Sequence, residues 1–402
     1  MTHQTEIPYG CYWSTPFARW QGALAHLNSV EFAAHVARRE LAKRDLEPTL
    51  FDYGVLGMTV PQHHAFYGLP WLMGMIGAGE VGGPTIGQAC ATSARCLLAA
   101  SQEIEDEMAT TALVVTADRV SNGPHLYYPN PQGPGGTGDA ENWVMDNIAR
   151  DPYAGVAMIE TAENVARKWQ VSTEAQHDIV VRRYEQYRDA QAEDCAFQKR
   201  YMTLPFEVPG GRYRKTSAVL ETDEGIKPST PEGLARLKPV RPDGTVTFGG
   251  QTHPADGNAA MVVTSAERAE ELSADPDIRI RILGFGLARV EKAHMPAATI
   301  PAARRALDRA EVAITDIDAI KSHNPFAVND LIFAQETGVD VRQMNNYGCS
   351  LIWGHPQGST GLRSVIELIE ELVLRGGGLG LFQGCAAGDT AMAVVISVGD
   401  RG

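Results

Sequence analysis

Long apolar runs are missing from this chain of 402 residues: none approaches the ~20 needed to cross a bilayer, and no basic stretch leading into an apolar one opens it. Neither a membrane span nor export is expected, and the reading is of a cytoplasmic protein. Positive charge is also scarce, with 35 Lys and Arg against 49 Asp and Glu and a net charge of −14. A nucleic-acid surface needs a basic face to neutralise phosphates, so no nucleic-acid partner is expected. Cysteine is sparse. The six (Cys11, Cys90, Cys96, Cys195, Cys349 and Cys385) include no pair at metal-ligand spacing, so neither disulfides nor a metal are expected in a reducing compartment.

What is present is a globular composition, 44% apolar and 21% charged, in a chain long enough for two or three domains. The charge is uneven. Between residues 198 and 241 nine basic residues stand against five acidic, a net +4 island. Such an island suits a small polyanionic ligand, and a solvated loop of chance charge reads the same way.

One stretch concentrates the chemistry. A Gly-rich approach, Gly82-Gly83-Pro84-Thr85-Ile86-Gly87-Gln88-Ala89, delivers Cys90 to a turn, and residues 91–103 continue with helical period, Leu97, Leu98 and Ile104 forming one stripe. A cysteine at a helix N-terminus meets free N–H groups and the positive end of the macrodipole, both of which stabilise a thiolate. Cys90 is therefore placed as a nucleophile, and Cys96, inside the helix, reads as inert packing. Taken alone, a free cysteine is as often a small buried hydrophobe.

The chain also repeats itself. A helix over residues 35–44, a turn at Glu47-Pro48 and a strand beginning in 51–60 return later, with Ala37-Arg38-Arg39-Glu40-Leu41 aligning on Ala303-Arg304-Arg305-Ala306-Leu307, Thr49 on Thr315 and Asp52 on Asp318. A shared register over helix, turn and strand points to an internal duplication. Each copy continues into a Gly-bounded turn, a helix and an apolar strand: Cys90, its helix and residues 111–116 in the first; Gly354 to Gly361, a helix over 362–374, then 379–382 and 391–398 in the second. Alternating helices and strands make two layered α/β halves whose seam could hold one site. Between them, residues 121–247 read as an insertion: loop over 121–138, helices over 161–169 and 173–189, mostly irregular chain over 207–241.

Four polar positions fall in Gly- or Pro-bounded loops at element ends: Cys90, His323 in Ser322-His323-Asn324-Pro325-Phe326, His355, and Cys385. A thiol nucleophile needs a base, and making or breaking a carbon–carbon bond needs a second acid/base for the α-proton. With these residues assembled, the chain resembles the thiolase family over nearly its whole length. The blocks are Ala89-Cys90-Ala91-Thr92-Ser93, Gly354-His355-Pro356 with Gly358-Ser359-Thr360-Gly361, Gly384-Cys385-Ala386-Ala387-Gly388, Gly244-Thr245-Val246-Thr247 leading to Asp256-Gly257-Asn258-Ala259-Ala260, and Thr161-Ala162-Glu163-Asn164-Val165-Ala166.

The resemblance implies a duplicated five-layer αβαβα core with an inserted loop domain that binds coenzyme A. Residues 1–120, completed by about 248–272, would form the N-terminal half, 121–247 the loop domain and 273–402 the C-terminal half. It also implies roles. Cys90 would be acylated, His355 would take its proton and help hold the thioester oxygen, and Cys385 would move the α-proton. His323 stands where the family has Asn or His facing the enolate oxygen, and the backbone N–H groups of Cys90 and Ala387 would form a second oxyanion hole. Thr252 replaces a Ser that touches the pantetheine chain, and Lys227 stands where a basic residue approaches the nucleotide. Coenzyme A is expected as substrate, with no resident cofactor; a homodimer or tetramer is implied, and a small accessory subunit is compatible with it.

Some features depart from the pattern. The loop after Cys385 is partly Ala, His253-Pro254-Ala255 replaces small residues, and Tyr127-Tyr128-Pro129 matches no family block. Tyr127, Tyr128 and Trp143 could line a pocket for an acyl group, although each taken alone reads first as plain loop packing, and His323 favours a degradative thiolase for chains larger than acetoacetyl. A biosynthetic acetoacetyl-CoA thiolase, a Claisen-type synthase using Cys90, His323 and His355, and a non-catalytic acyl-CoA- or lipid-binding subunit stay open beside it.

Overall fold

A computed structural model describes residues 5–400. Its framework is an 11-stranded sheet whose path uses β1 (Thr5–Glu6), β2 (Tyr53–Gly57), β3 (Thr85–Ile86), β4 (Thr111–Arg119), β5 (Ala255–Ser265), β6 (Ile278–Arg289), β7 (Ala319–His323), β8 (Gly378–Ala386) and β9 (Thr390–Asp400). The order is β7-β8-β9-β6-β1-β5-β4-β2-β3, so two strand sets meet only through the two-residue β1. β2 runs parallel to β4 and β7 parallel to β8, whereas β4–β5 and β6–β9 are antiparallel.

The helices that position the site are α1 (Ser29–Lys43), α2 (Thr92–Glu105), α3 (Thr173–Lys199), α4 (Thr299–Ala310), α5 (Ala327–Thr337) and α6 (Thr360–Leu374). Period-2 alternation in the strands sorts them into layers. In β4, Leu113 and Val115 join the α1 core while Ala112 and Val114 join the core of α2 and α6. In β9, Met392, Val394 and Ile396 face that same central core, and Ala391, Ala393 and Val395 face α4. The sequence of layers is therefore α1, sheet, α2 with α6, sheet, α4: the expected αβαβα arrangement. α6, buried from Thr360 through Leu372, has the all-round burial that a middle layer imposes.

The duplication keeps its register. α1 and α4 are each followed by a 3-10 turn, Pro48–Leu50 and Ile314–Asp316, and then by β2 and β7. Asp52 accepts from the Thr110 and Thr111 amides; Asp318 accepts from the Leu379 amide, so the two aligned carboxylates each clip the start of a neighbouring strand.

Residues 121–247 are more regular than their Pro- and Gly-rich texture predicts. Residues 121–138 are not all loop, since His125–Tyr128 pairs antiparallel with Asp139–Asn142. Phe206–Pro209 pairs with Thr216–Leu220, and α3 runs to Lys199, ten residues past the expected end at 189, with a kink at 192–195. In each case cross-strand pairing or packing outweighs local propensity.

Candidate active site

The first group is built by strain and bracing. Ala89 has φ of 44°, a left-handed value that a residue with a side chain adopts only when its surroundings impose it. They do: Thr92 Oγ1 donates to the Ala89 carbonyl (2.7 Å) and accepts from the Gln88 amide (2.8 Å), while Arg95 Nε holds the Gln88 side chain (2.7 Å). Cys90 projects from this turn just ahead of α2, whose first turn has no side-chain cap. Cys96 packs behind it, so close to Gly57 that any Cβ there would sit 2.8 Å from its sulfur.

The second group arrives from the other half. Gly354, with φ of 94°, turns the chain into His355, and the block is clipped to the first half at two points. The Gly358 amide donates to the buried Asp118 carboxylate at the end of β4, and Ser93 of α2 donates to the Gly358 carbonyl. Asp118 also accepts from the Thr59 and Val60 amides (2.8 and 3.1 Å) and from the Thr59 hydroxyl (2.7 Å). Sequence reasoning missed Asp118; its signal was a carboxylate closing the apolar run Thr111–Arg119.

His355 Nε2 lies 3.1 Å from Cys90 Sγ, and its Nδ1 lies 2.6 Å from Thr360 Oγ1. The Thr360 hydroxyl donates to the Pro356 carbonyl (3.0 Å), so its oxygen accepts from Nδ1–H and the Nε2 lone pair faces the thiol. Burial, with His253 nearby, lowers His355 to about 3, which keeps the ring neutral and ready to accept a proton. Cys90 corrects the expectation of a thiolate. Burial pushes its thiol up to about 12, and the amides of Ala387 and of Cys90 itself pull only partly the other way, so the resting group is a thiol.

His323, at the end of β7, is fully buried and stacks on His355 with ring centroids 4.0 Å apart. Its Nδ1 meets Ser350 Oγ at 2.9 Å, while Nε2 has no hydrogen-bond partner. The Ser350 hydroxyl donates to Asn324 Oδ1 (3.1 Å), which also accepts from the Leu351 amide, so the Ser350 oxygen accepts from His323 Nδ1–H and a lone pair is left on Nε2. Burial, and then His355, hold His323 well below the usual imidazole range. Ligand atoms of Cys90, His323 and His355 all lie within 4.8 Å of one another.

Cys385, at the end of β8, is fully buried and accepts from Asn329 Nδ2 at 3.2 Å. Burial raises its thiol strongly, the neighbouring Cys90 raises it further, and Asn329 opposes both. Asn329 on α5 was also missed; with Asn324 and Asp330 it forms a polar patch in an otherwise apolar stretch, Phe326-Ala327-Val328-Asn329-Asp330-Leu331-Ile332-Phe333.

Cys90, His355, Ala387, Thr252 and Trp143 line one cavity of about 980 Å³ with mostly apolar walls. Tyr127 and Tyr128 do not line it. They sit exposed on the His125–Tyr128 hairpin, Tyr128 donating to Glu141 and Tyr127 accepting from the Gly138 amide. Lys227 is also outside the lining, and the Thr252 hydroxyl donates to the Ser350 carbonyl. The basic island is less free than its sequence suggests, because Lys199, Arg200 and Arg241 pair with Asp194, Glu370 and Glu160.

A half-buried thiol, a neutral imidazole in contact with it, amides aimed at its sulfur and a second, buried thiol, shared between duplicated α/β halves, make an arrangement chemically suited to acyl transfer on sulfur. The chain belongs to the thiolase family of acyltransferases: the model of the thiolase N-terminal domain matches residues 13–267 and that of the C-terminal domain residues 277–398. It is 29% identical over 393 residues to an acetyl-CoA acetyltransferase of Pseudomonas aeruginosa, covering 95% of this chain and 97% of that one. With a β-ketoadipyl-CoA thiolase of Pseudomonas putida it shares 33% identity over 259 residues, 63% of either chain, so that match spans under two thirds of the relative. The human mitochondrial 3-ketoacyl-CoA thiolase in complex with CoA superposes with a TM-score of 0.88 over 99% of both chains at 24% identity, a likeness of fold. The Bacillus anthracis acetyl-CoA acetyltransferase also gives 0.88, with 26% identity over 99% of both chains.

Proposed function

We propose that the protein cleaves a 3-oxoacyl-CoA with coenzyme A, or runs the reverse condensation, through an acyl thioester on Cys90. The observation that carries this is the 3.1 Å approach of His355 Nε2 to Cys90 Sγ inside a cavity that also presents the Ala387 amide. As sulfur attacks the 3-oxo carbon, its proton passes to His355, which matches a base kept neutral beside a thiol not ionised in advance. The C2–C3 bond then breaks, and the enolate left on the departing acyl-CoA takes its proton from Cys385. His323, whose ring nitrogen lies within 4.8 Å of the ligand atoms of Cys90 and His355, would face the thioester oxygen on which that enolate charge develops. The sulfur of coenzyme A then bonds to the acyl carbon, its proton passing to the Cys385 thiolate, and as the thioester bond to Cys90 breaks the proton on His355 returns to the Cys90 sulfur.

Thr252 would meet the pantetheine chain and Lys227 the nucleotide, with residues 121–247 as the loop domain. The apolar cavity and His323 in place of Asn support a degradative reaction on chains larger than acetoacetyl. Cys385, set beside Cys90 with its own donor, is superfluous to a Claisen-type synthase and to a non-catalytic lipid-binding subunit. A second copy of the chain is the proposed partner: Phe66 and Tyr67, 96% and 68% exposed, stand next to the free edge of β3, to which Leu69 is bonded through Thr85. Six free thiols suit the reducing cytoplasm.

The test is to incubate the protein with short, long, branched and aromatic acyl-CoAs and follow mass addition to the Cys90 peptide. Acylation with at least one chain, lost together with more than 99% of thiolysis in folded Cys90→Ser, is expected. Unchanged thiolysis in that variant would overturn the reading.

A further inference from the structure

The distribution of charge along the cavity bears on which acyl chain it takes, and this rests on the thiolase reading above. Cys90 and His355 stand in one continuous space. Thr252 and Phe248, on the side assigned to pantetheine, line one part of it; Val60, Val120 and Val144, packed with Trp143 and Ile148, form a separate apolar cluster along another. That second wall is fixed beside the nucleophile, because Trp143 Nε1 donates to the Thr59 carbonyl (2.9 Å) and Thr59 is bonded to Asp118.

Among the described residues, no Lys or Arg lines the cavity, whereas Glu141 and Asp151 do. Asp151 is engaged in its own loop, accepting from the Tyr153 and Ala154 amides. Glu141 sits two residues before Trp143; Asn147 donates to one of its oxygens (2.6 Å) and the Tyr128 hydroxyl to the other (2.9 Å), and no cation pairs with it among the described residues. Its carboxylate therefore meets neutral donors and no group of opposite charge at the wall. Arg289 and Lys292 lie over the ring of Tyr153, each 5.1 Å from its centroid, and neither lines the cavity; nor does Arg150, between the lining residues Ala149 and Asp151.

We propose that Glu141 is a specificity-determining residue: the acyl end of the cavity takes a neutral, apolar 3-oxoacyl chain and rejects one that ends in a carboxylate. A terminal carboxylate would leave water for an apolar wall, meet no donor of opposite charge and face Glu141. At separations of several ångströms and an intermediate dielectric, like charges discriminate by roughly tenfold to a hundredfold.

The experiment compares kcat/KM for thiolysis of 3-oxooctanoyl-CoA and 3-oxoadipyl-CoA by the wild type, Glu141→Gln and Glu141→Arg. The neutral substrate should be preferred at least tenfold by the wild type. That ratio should fall at least threefold in the near-isosteric Glu141→Gln and further in Glu141→Arg, and it should shrink in the wild type as ionic strength rises. Equal values for the two substrates, or a ratio that neither substitution moves, would overturn the proposal. Failure to turn over any 3-oxoacyl-CoA would instead sink the thiolase reading. The charge preference is then read separately, from the rates at which octanoyl-CoA and adipoyl-CoA acylate Cys90: a neutral preference that Glu141→Gln reduces upholds it, and equal rates overturn it.

Discussion

The two thiols differ less in chemistry than in what surrounds them. Both are raised by burial and opposed by amide donors, but Cys90 has an imidazole lone pair at 3.1 Å, while Cys385 has the Asn329 side chain, its own backbone amide and a neighbouring sulfur. The first environment favours proton loss coupled to bond formation; the second favours a group that gives or takes a proton without becoming acylated. Cys385→Ala should therefore still accept an acyl group on Cys90, yet lose carbon–carbon bond making and breaking by at least a hundredfold, since only the α-proton step is removed. Intact-mass measurement after mixing with an acyl-CoA, set beside thiolysis rates, checks this. Loss of acylation in a folded variant would show that the roles are divided otherwise. That Cys90, His323, His355 and Cys385 would come close together was legible in the sequence, because each falls in a Gly- or Pro-bounded loop at an element end. Their protonation states were not, since burial and partners distant in sequence set them, and the helix-start argument for a thiolate at Cys90 fails for that reason.

At the scale of elements, the inserted segment is fastened to α6 by buried charge. Arg363 makes a bidentate pair with Asp223 (2.6 and 2.9 Å), both side chains fully buried, and its guanidinium lies between the Phe17 and Trp353 rings, 4.8 and 4.3 Å from their centroids. Asp223 also accepts from the Phe17 amide, Gln198 and Tyr187, so one carboxylate ties residues 187–223 to the helix that begins just after the His355 loop. Asp223→Asn takes one of two buried carboxylates from Arg363, leaving only Glu367, itself shared with Lys321, and should lower unfolding free energy by up to about 3 kcal/mol. Urea denaturation checks it, and pairing the change with Arg363→Met should recover part of the loss; a single variant as stable as wild type would show that the pair is not what holds the segment. None of this was legible, because an Asp in an irregular stretch and an Arg in a helix look like surface residues until the fold buries them. The duplicated helix, turn and strand were legible, since they rest on local period and on Asp52 and Asp318, whose partners lie at the start of the next strand. The two hairpins of the insertion were not, because their pairing is set by contacts that a Pro- and Gly-rich composition hides.

For the whole molecule, placing the site at a seam between two halves has a consequence for stability. His355 meets Cys90 across that seam and stacks on His323 of its own half, and both rings are buried there. The folded pKa of His355, about 3, is below its unfolded value near 6.5, so the unfolded chain binds more protons throughout that interval. The contribution of this histidine is thus fully present above pH 6.5 and is lost as pH falls toward 3. Asp256 acts with the opposite sign: burial raises it to about 6, so its contribution is present below about 4 and is lost as pH rises through 6. The two windows overlap, and the net profile of the wild type therefore isolates neither. A difference measurement does. In His355→Gln the aspartate is unchanged while the titrating ring is gone, so the stability of the variant relative to wild type should rise as pH drops from 6.5 to 4, by up to about 1.4 kcal/mol per pH unit. Paired urea titrations at several pH values read the slope directly. A difference that stays flat over that range would mean that His355 is protonated as easily in the folded protein as in the unfolded chain, and that the seam is open to water.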